Sequence, residues 1–233
     1  MKLAIVGYGK MGKLIESMAP EFGFDVGLKL DIDNNVNGAG ITRENFRSID
    51  VAIEFSTPAT VVENIERIAA LGVHMVVGTT GWYERLPQVR AAVERAGTGL
   101  VYSPNFSVGV QAFIRIVEAA ARTFAGEPDC DAWAYEIHHR MKKDAPSGTL
   151  LKLKELMEKA GYSRPIDVAS NRAGMIPGTH IIGFDSEADT ITLTHAARSR
   201  VGFARGALRA ARWVKGRTGV HEFGEVVFSR GET

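Results

Sequence analysis

The sequence predicts an α/β fold: a parallel sheet with helices on both faces, followed by a second region of α+β character. Three observations carry that prediction. Short apolar runs alternate with helical periodicities from Lys2 to Tyr102. The runs end on glycine, acidic or hydroxyl residues, at Val6-Gly7, Leu30-Asp31, Val77-Gly78 and Tyr102-Ser103. Soon after Phe106 the alternation gives way to a long helical stretch and then to several strands, which places a domain change there.

The elements follow in order. Lys2 to Val6 reads as a buried strand running straight into glycines. Met11, Leu14, Ile15 and Met18 then share one helical face. Phe24 to Leu30 is a second strand, and Asn34 to Gly40 is turn-rich. Val51 to Phe55 is a third strand, after which Ser56-Thr57-Pro58 supplies a hydroxyl cap and a proline for a helix over Val61 to Leu71. Val73 to Val77, a helix over Tyr83 to Ala96 and a strand over Leu100 to Tyr102 complete the first pattern. Beyond it come a helix over Val110 to Phe124, a strand over Asp131 to Ile137 and a helix over Leu150 to Ala160. Strands over Ile166 to Ala173, Thr179 to Asp185 and Thr190 to His195 precede a last helix over Ala204 to Val214. That helix is expected to return to the first domain.

Composition narrows the function. A chain of 233 residues accommodates one nucleotide-sized domain and a smaller one. Its 28 basic and 27 acidic side chains nearly cancel, leaving no large field for nucleic acid or anionic lipid. There is no long apolar segment and no signal-peptide pattern, so a cytoplasmic protein is expected. Cys130 is the only cysteine, which rules out an intrachain disulfide. It stands between Asp129 and Asp131, whose charges disfavour a thiolate, and reads as inert.

Gly7, Gly9 and Gly12 form a GxGxxG that follows a strand and opens a helix, with Asp31 at the end of the next strand. This context separates the motif from an ordinary glycine turn. Gly7 allows the tight turn, Gly9 lets a pyrophosphate approach the backbone, and Gly12 allows close helix packing. Together with Tyr8, Lys10 and Met11 they would present helix N–H groups to the phosphates. Asp31 would accept hydrogen bonds from both adenosine ribose hydroxyls and repel a 2′-phosphate. Ile32 follows it, so no neighbouring arginine compensates. NADH is therefore favoured and NADPH is possible, with Lys10 and Lys13 either reaching a phosphate or lying on solvated helix surface. Gly78, Thr79 and Thr80, and Ser103, Pro104, Asn105 and Phe106, stand at strand ends where open parallel sheets bind ligands. They are candidates for the nicotinamide end, with Phe106 packing on the ring; ordinary turns would give the same pattern.

A second constellation runs from Glu136 to Thr149. His138 and His139 follow one another at a strand end, so their rings face different ways and one suffices as proton donor. Lys142 offers a charge for a carboxylate or an acid in its own right. Ser147, Gly148 and Thr149 open a helix whose N–H groups and hydroxyls can hold a second carboxylate. The substrate class is thus a small dicarboxylate. A basic loop with an ordinary serine cap is the bland alternative. No metal is expected, because no cysteine or acidic cluster completes a ligand set. Arg198, Arg200 and Arg205 flank Phe203 and read mostly as surface charge.

These motifs, in this order over nearly the whole chain, resemble the dihydrodipicolinate reductase family. The resemblance rests on the N-terminal GxGxxG, Gly78-Thr79-Thr80-Gly81, Pro104 to Val110, the specific His-His-x-x-Lys-x-Asp-Ala-Pro-Ser-Gly-Thr string from His138, and Ser199-Arg200. It implies a Rossmann-type dinucleotide-binding domain from 1–107 and 200–233, and a central α+β substrate domain over 108–199. The central domain's open mixed sheet would build a homotetramer. It also implies His138 as proton donor, Lys142 as second catalytic residue, and His139, Gly148 and Thr149 as substrate contacts. Three features depart from the family pattern: a short segment between Asp31 and Asp50, Met141 at a commonly basic position, and Thr179 where an acid is frequent. They bear on cofactor preference more than on the reaction. A dehydrogenase for another small dicarboxylate or amino acid, or a dinucleotide-binding protein without chemistry, stays open as an alternative.

Overall fold

A computed structural model describes residues 1–229. The chain divides into two compact units, one of Met1–Val108 with the segment from Val201 onward, the other of Gly109–Arg200.

The first unit is built on six parallel strands. In chain order these are β1 (Lys2–Val6), β2 (Asp25–Leu30), β3 (Val51–Glu54), β4 (His74–Val77), β5 (Gly99–Tyr102) and, from the returning segment, β10 (Gly219–Glu222). They lie in the order β10-β5-β4-β3-β1-β2. The chain thus leaves β1 to one side for β2 and crosses back to the other for β3, so a crevice opens beyond the carboxyl ends of β1 and β3. Every strand of β1, β3, β4 and β5 carries residues with no exposed surface, as central parallel strands covered on both faces require.

Helices α1 (Lys10–Met18) and α7 (Val201–Val214) cover one face of this sheet with Ile15, Met18, Ala207, Leu208 and Ala211. Helices α3 (Val61–Ala70) and α4 (Leu86–Ala96) cover the other with Ile65, Ile68, Val89 and Val93. A one-turn helix α2 (Arg43–Phe46), capped by Thr42, sets Phe46 into the second layer. The terminal turn α8 (Phe223–Val226) adds Phe223 to the first.

The second unit packs α5 (Val108–Phe124) and α6 (Gly148–Lys159) against one face of a four-stranded sheet. Its strands β6 (Asp131–His138), β7 (Ile166–Arg172), β8 (Thr179–Asp185) and β9 (Thr190–Ala196) lie in the order β7-β6-β8-β9. The sheet is mixed: β6 pairs parallel with β7 and antiparallel with β8, which pairs antiparallel with β9. Alternation along β6 decides which side chains meet the helices: Ala132, Ala134, Glu136 and His138 are buried, whereas Trp133, Tyr135 and Ile137 are half-buried on the opposite face.

Three short elements, α2, β10 and α8, lie outside the sequence expectation. Gly-Val-His-Glu has one apolar residue and no periodicity, and only pairing with β5 makes it a strand. Cys130 is buried, and burial, more than its acidic neighbours, pushes its thiol pKa up. No helix among the described residues is long and apolar enough to cross a membrane.

Candidate active site

The glycine turn of the first unit has the geometry a dinucleotide needs. Gly7 sits at φ +91°, and a Cβ there would meet Phe55 O at 2.2 Å. A Cβ on Gly12 would meet Gly7 O at 2.4 Å, so α1 can seat against the turn only without a side chain at that position. Gly9, by contrast, faces open space, with nothing within 4 Å of a Cβ. No side chain caps α1 at Gly9. Its first amides, including those of Lys10 and Met11, therefore point free N–H groups out of the turn.

Gly7 N donates to Leu30 O at 2.8 Å, which brings Asp31 beside the turn. Among the described residues no lysine or arginine forms an ion pair with Asp31. The Tyr8 ring lies back on α1, its hydroxyl bonded to Glu16 and its face under Lys29, which leaves the backbone of Tyr8 for a ligand.

The loops beyond β4 and β5 are partly spoken for. A Cβ on Gly78 would strike the Phe55 ring at 2.2 Å. Thr79 is buried and its carbonyl accepts from Trp82 Nε1 at 2.7 Å, whereas Thr80 is exposed. Ser103 is fully buried; its Oγ donates to Asn105 O at 2.9 Å, and Asn105 Oδ1 accepts from Ser107 N at 2.9 Å. Phe106 is buried between Phe55 and Phe223, with ring centroids 6.3 and 4.9 Å away. The Phe106 ring is therefore core and not a platform for nicotinamide, and the Ser103 side chain is a turn fastener. The buried Phe106 ring corrects the sequence expectation of ring packing, and the cause is the aromatic cluster that closes this end of the sheet; the backbone of Ser103 and Phe106 stays a candidate for the carboxamide. Pro104 stays exposed and Asn105 half-buried.

Sequence reading also missed Glu54, wholly buried at the end of β3. Burial raises its pKa, opposed by bonds from Ser56 and Asn64. It braces the loop after β3 from below.

In the second unit, β6 sets Glu136 and His138 on one buried face, two residues apart. His138 Nδ1 bonds Glu136 Oε2. Arg172 on β7 clasps the same carboxylate with both terminal nitrogens, Nη1 to Oε2 at 2.9 Å and Nη2 to Oε1 at 2.8 Å. Ser147 N donates to Oε1 at 3.2 Å. Burial acts to raise the Glu136 pKa, but the bonds from Arg172 and His138 outweigh it and hold the carboxyl at about 2. His138 is lowered, first by burial and then by the charges of Lys142 and Arg172, against the pull of Glu136. His180 on β8 stands edge-on to His138 at 5.2 Å, and burial takes it down to about 4.

Ser147 caps α6, its Oγ accepting from Leu150 N at 3.3 Å and meeting His180 Nε2 at 3.0 Å. With its N–H on Glu136 as well, Ser147 ties the start of α6 to the layer beneath His138 and keeps one hydroxyl position for a substrate. Gly148 is exposed with open space around its Cα, and Thr149 is half-buried. Lys142 Nζ donates to both oxygens of Asp144 at 2.8 Å, and this bond, first among its causes, lowers the Asp144 pKa. His139 is half-buried, with its N–H on Ile176 O at 2.7 Å. Lys142, His139, Gly148 and Thr149 thus keep accessible surface around His138, whereas Glu136, Arg172 and His180 form the buried layer beneath it. No group of three or more metal-ligating side chains occurs among the described residues.

Sequence models for two halves of one family span this chain. The dihydrodipicolinate reductase N-terminus matches residues 1–106 and the dihydrodipicolinate reductase C-terminus matches residues 109–227. The chain belongs to the dihydrodipicolinate reductase family. A 4-hydroxy-tetrahydrodipicolinate reductase of Christiangramia forsetii is 33% identical over 238 residues, covering 97% of this chain and 98% of that one. Another, of Myxococcus xanthus, is 39% identical over 199 residues, covering 76% and 72%. The structure of a dipicolinate-bound dihydrodipicolinate reductase from Paenisporosarcina sp. TG-14 shares the fold, with a TM-score of 0.80 at 23% identity over 95% of this chain and 97% of that one. A nicotinamide cofactor goes with membership of this family of reductases, and the turn from Gly7 to Gly12 fits one.

Proposed function

We propose that the chain is an NAD(P)H-dependent 4-hydroxy-tetrahydrodipicolinate reductase of lysine and diaminopimelate biosynthesis. The observation that carries this is the match of both halves to one reductase family, with the histidine–lysine cluster in the second half. A reduced nicotinamide, when bound, supplies hydride to C4 of the unsaturated ring left by loss of water from the substrate. The residues to hold the dinucleotide are Gly7 to Gly12 by their backbone and Asp31 at the ribose, with Gly78, Thr80, Pro104 and Asn105 toward the nicotinamide. Asp31, without a basic partner among the described residues, supports NADH over NADPH.

The substrate carries two carboxylates. Lys142 offers one of them a point charge, and the amides of Gly148 and Thr149 at the start of α6 suit the other. His139 lines the same site. His138 is the proton donor. Burial favours its neutral form, whereas a bound dianion favours the imidazolium, so the substrate helps load the acid that it uses. The imidazolium then protonates the anion that forms as hydride arrives. The uncovered face of the second unit's sheet, with Trp133, Tyr135, Ile137 and Ile181, supports assembly into a homotetramer.

The test is oxidation of NADH and of NADPH with substrate made in situ from pyruvate and aspartate semialdehyde by a synthase. Turnover that His138→Gln abolishes is the expected result. Protein that binds NADH but turns nothing over would point to another dicarboxylate substrate.

A further inference from the structure

We infer that Glu136, clasped by Arg172 and faced by Gly178, is the positioning residue that makes Nε2 of His138 the proton-donating atom. The inference rests on the reading of His138 as the acid.

Glu136 has no exposed surface, and its carboxylate is ringed by hydrogen bonds. Arg172 supplies two, Ser147 N–H one, and His138 Nδ1 the fourth. A carboxylate in that setting stays ionised through any working pH, and an ionised carboxylate only accepts. Nδ1 must therefore carry a proton in both charge states of the ring. The titrating proton is the one on Nε2.

Nε2 has no hydrogen-bond partner among the described residues. A Cβ at position 178 would stand 2.7 Å from it, and Gly178 is at φ +147°, where side chains are disfavoured. Glycine there keeps the Nε2 edge clear.

The charged and titratable groups facing the ring come from three strands and one loop. They are Glu136 on β6, Arg172 on β7, His180 on β8 and Lys142 beyond β6. His180 titrates at about 4 and is neutral at working pH. Glu136 is the anion bonded to the ring, while Asp144 answers the charge of Lys142. Without it the imidazolium would face an unpaired Arg172, and the ring could take either tautomer.

In the step itself the Nε2–H bond breaks, its electron pair stays on nitrogen, and the proton bonds to the substrate anion formed by hydride addition. The Nδ1 proton stays where it is, on the bond to Glu136. Solvent reprotonates Nε2 after product leaves.

The experiment has a part that needs no variant. In the full-length protein with ¹⁵N-labelled histidine, the two ring nitrogens of His138 report the tautomer directly. Protonated Nδ1 with bare Nε2 at high pH is expected; protonated Nε2 with bare Nδ1 would overturn the inference.

Kinetics supply the second part. Glu136→Gln should lower kcat by roughly a hundredfold or more and leave KM nearly unchanged. It should also move the basic limb of the pH–rate profile to lower pH. Glu136→Asp, which restores the charge, should return the limb toward its original position. Gly178→Ala should lower kcat while the limb stays within reach of Glu136's control. A Glu136→Gln enzyme with unaltered kcat and pH profile would refute the inference while His138→Gln, if inactive, left the acid assignment standing. Turnover surviving His138→Gln would instead remove the acid assignment itself.

Discussion

Single side chains in this chain owe their chemistry to the burial of their neighbours. Glu136 and His180 both titrate well below their ordinary values, at about 2 and about 4, and both make the fold acid-sensitive. The unfolded chain binds a proton at each more readily than the folded one does, so each stabilises the fold above its unfolded pKa and ceases to as pH falls. Stability should drop from about pH 6.5 toward 4 through His180, and from about 4.5 toward 2 through Glu136. A shift of this size at His180 corresponds to on the order of 3 kcal/mol. Urea unfolding at neutral pH and at about pH 4 should show that loss, and His180→Phe should shrink it. At the substrate site, Lys142→Ala should lower kcat/KM by roughly a hundredfold or more, read in the same coupled assay. Near-normal kcat/KM would remove Lys142 from the reaction. At the cofactor turn, Asp31→Ala should weaken NADH binding more than NADPH binding in a fluorescence titration; equal losses would mean that Asp31 does not touch the ribose.

Whole elements are placed by close approaches that local pattern does not announce. Helix α7 comes so near the chain at Phe106 that a Cβ on Gly206 would lie 1.7 Å from the Phe106 carbonyl oxygen. Gly206→Ala should therefore destabilise the fold by about 2–3 kcal/mol through overpacking, seen as a lowered Tm. Gly126→Ala, where a Cβ meets nothing within 4 Å, should leave Tm almost unchanged. The main helices and strands were readable because their periodicities are strong, as in α1 with Ile15 and Met18 on its buried face. Strand β10 was not, since its four residues gain strand character only from pairing with β5. The Phe106 ring was misread for a related reason. An aromatic beside a binding loop looks the same in sequence whether it faces a ligand or, as here, Phe55 and Phe223.

For the molecule as a whole, the mixed sheet of the second unit leaves one face bare of helices. Tyr135, Ile181 and Thr194 stand side by side across β6, β8 and β9 on that face. If it joins copies of the chain, Ile181→Asp should split the oligomer without unfolding the protomer. Sedimentation velocity would read the split, and circular dichroism the retained fold. An unchanged sedimentation coefficient would move the interface elsewhere.

The sequence by itself determined what depends on neighbours along the chain. The glycine turn of Gly7 to Gly12, the strand-and-helix order and the histidine–lysine string from His138 are all of that kind, because backbone conformation and period act over a few residues. Tertiary structure alone decided what lies behind the reactive side chains. Arg172 reaches Glu136 across 36 positions, and His180 meets Glu136 only by strand register. No local pattern encodes which residues become neighbours when strands align, yet those neighbours set which groups are buried, which carry charge and which nitrogen is left to give up a proton.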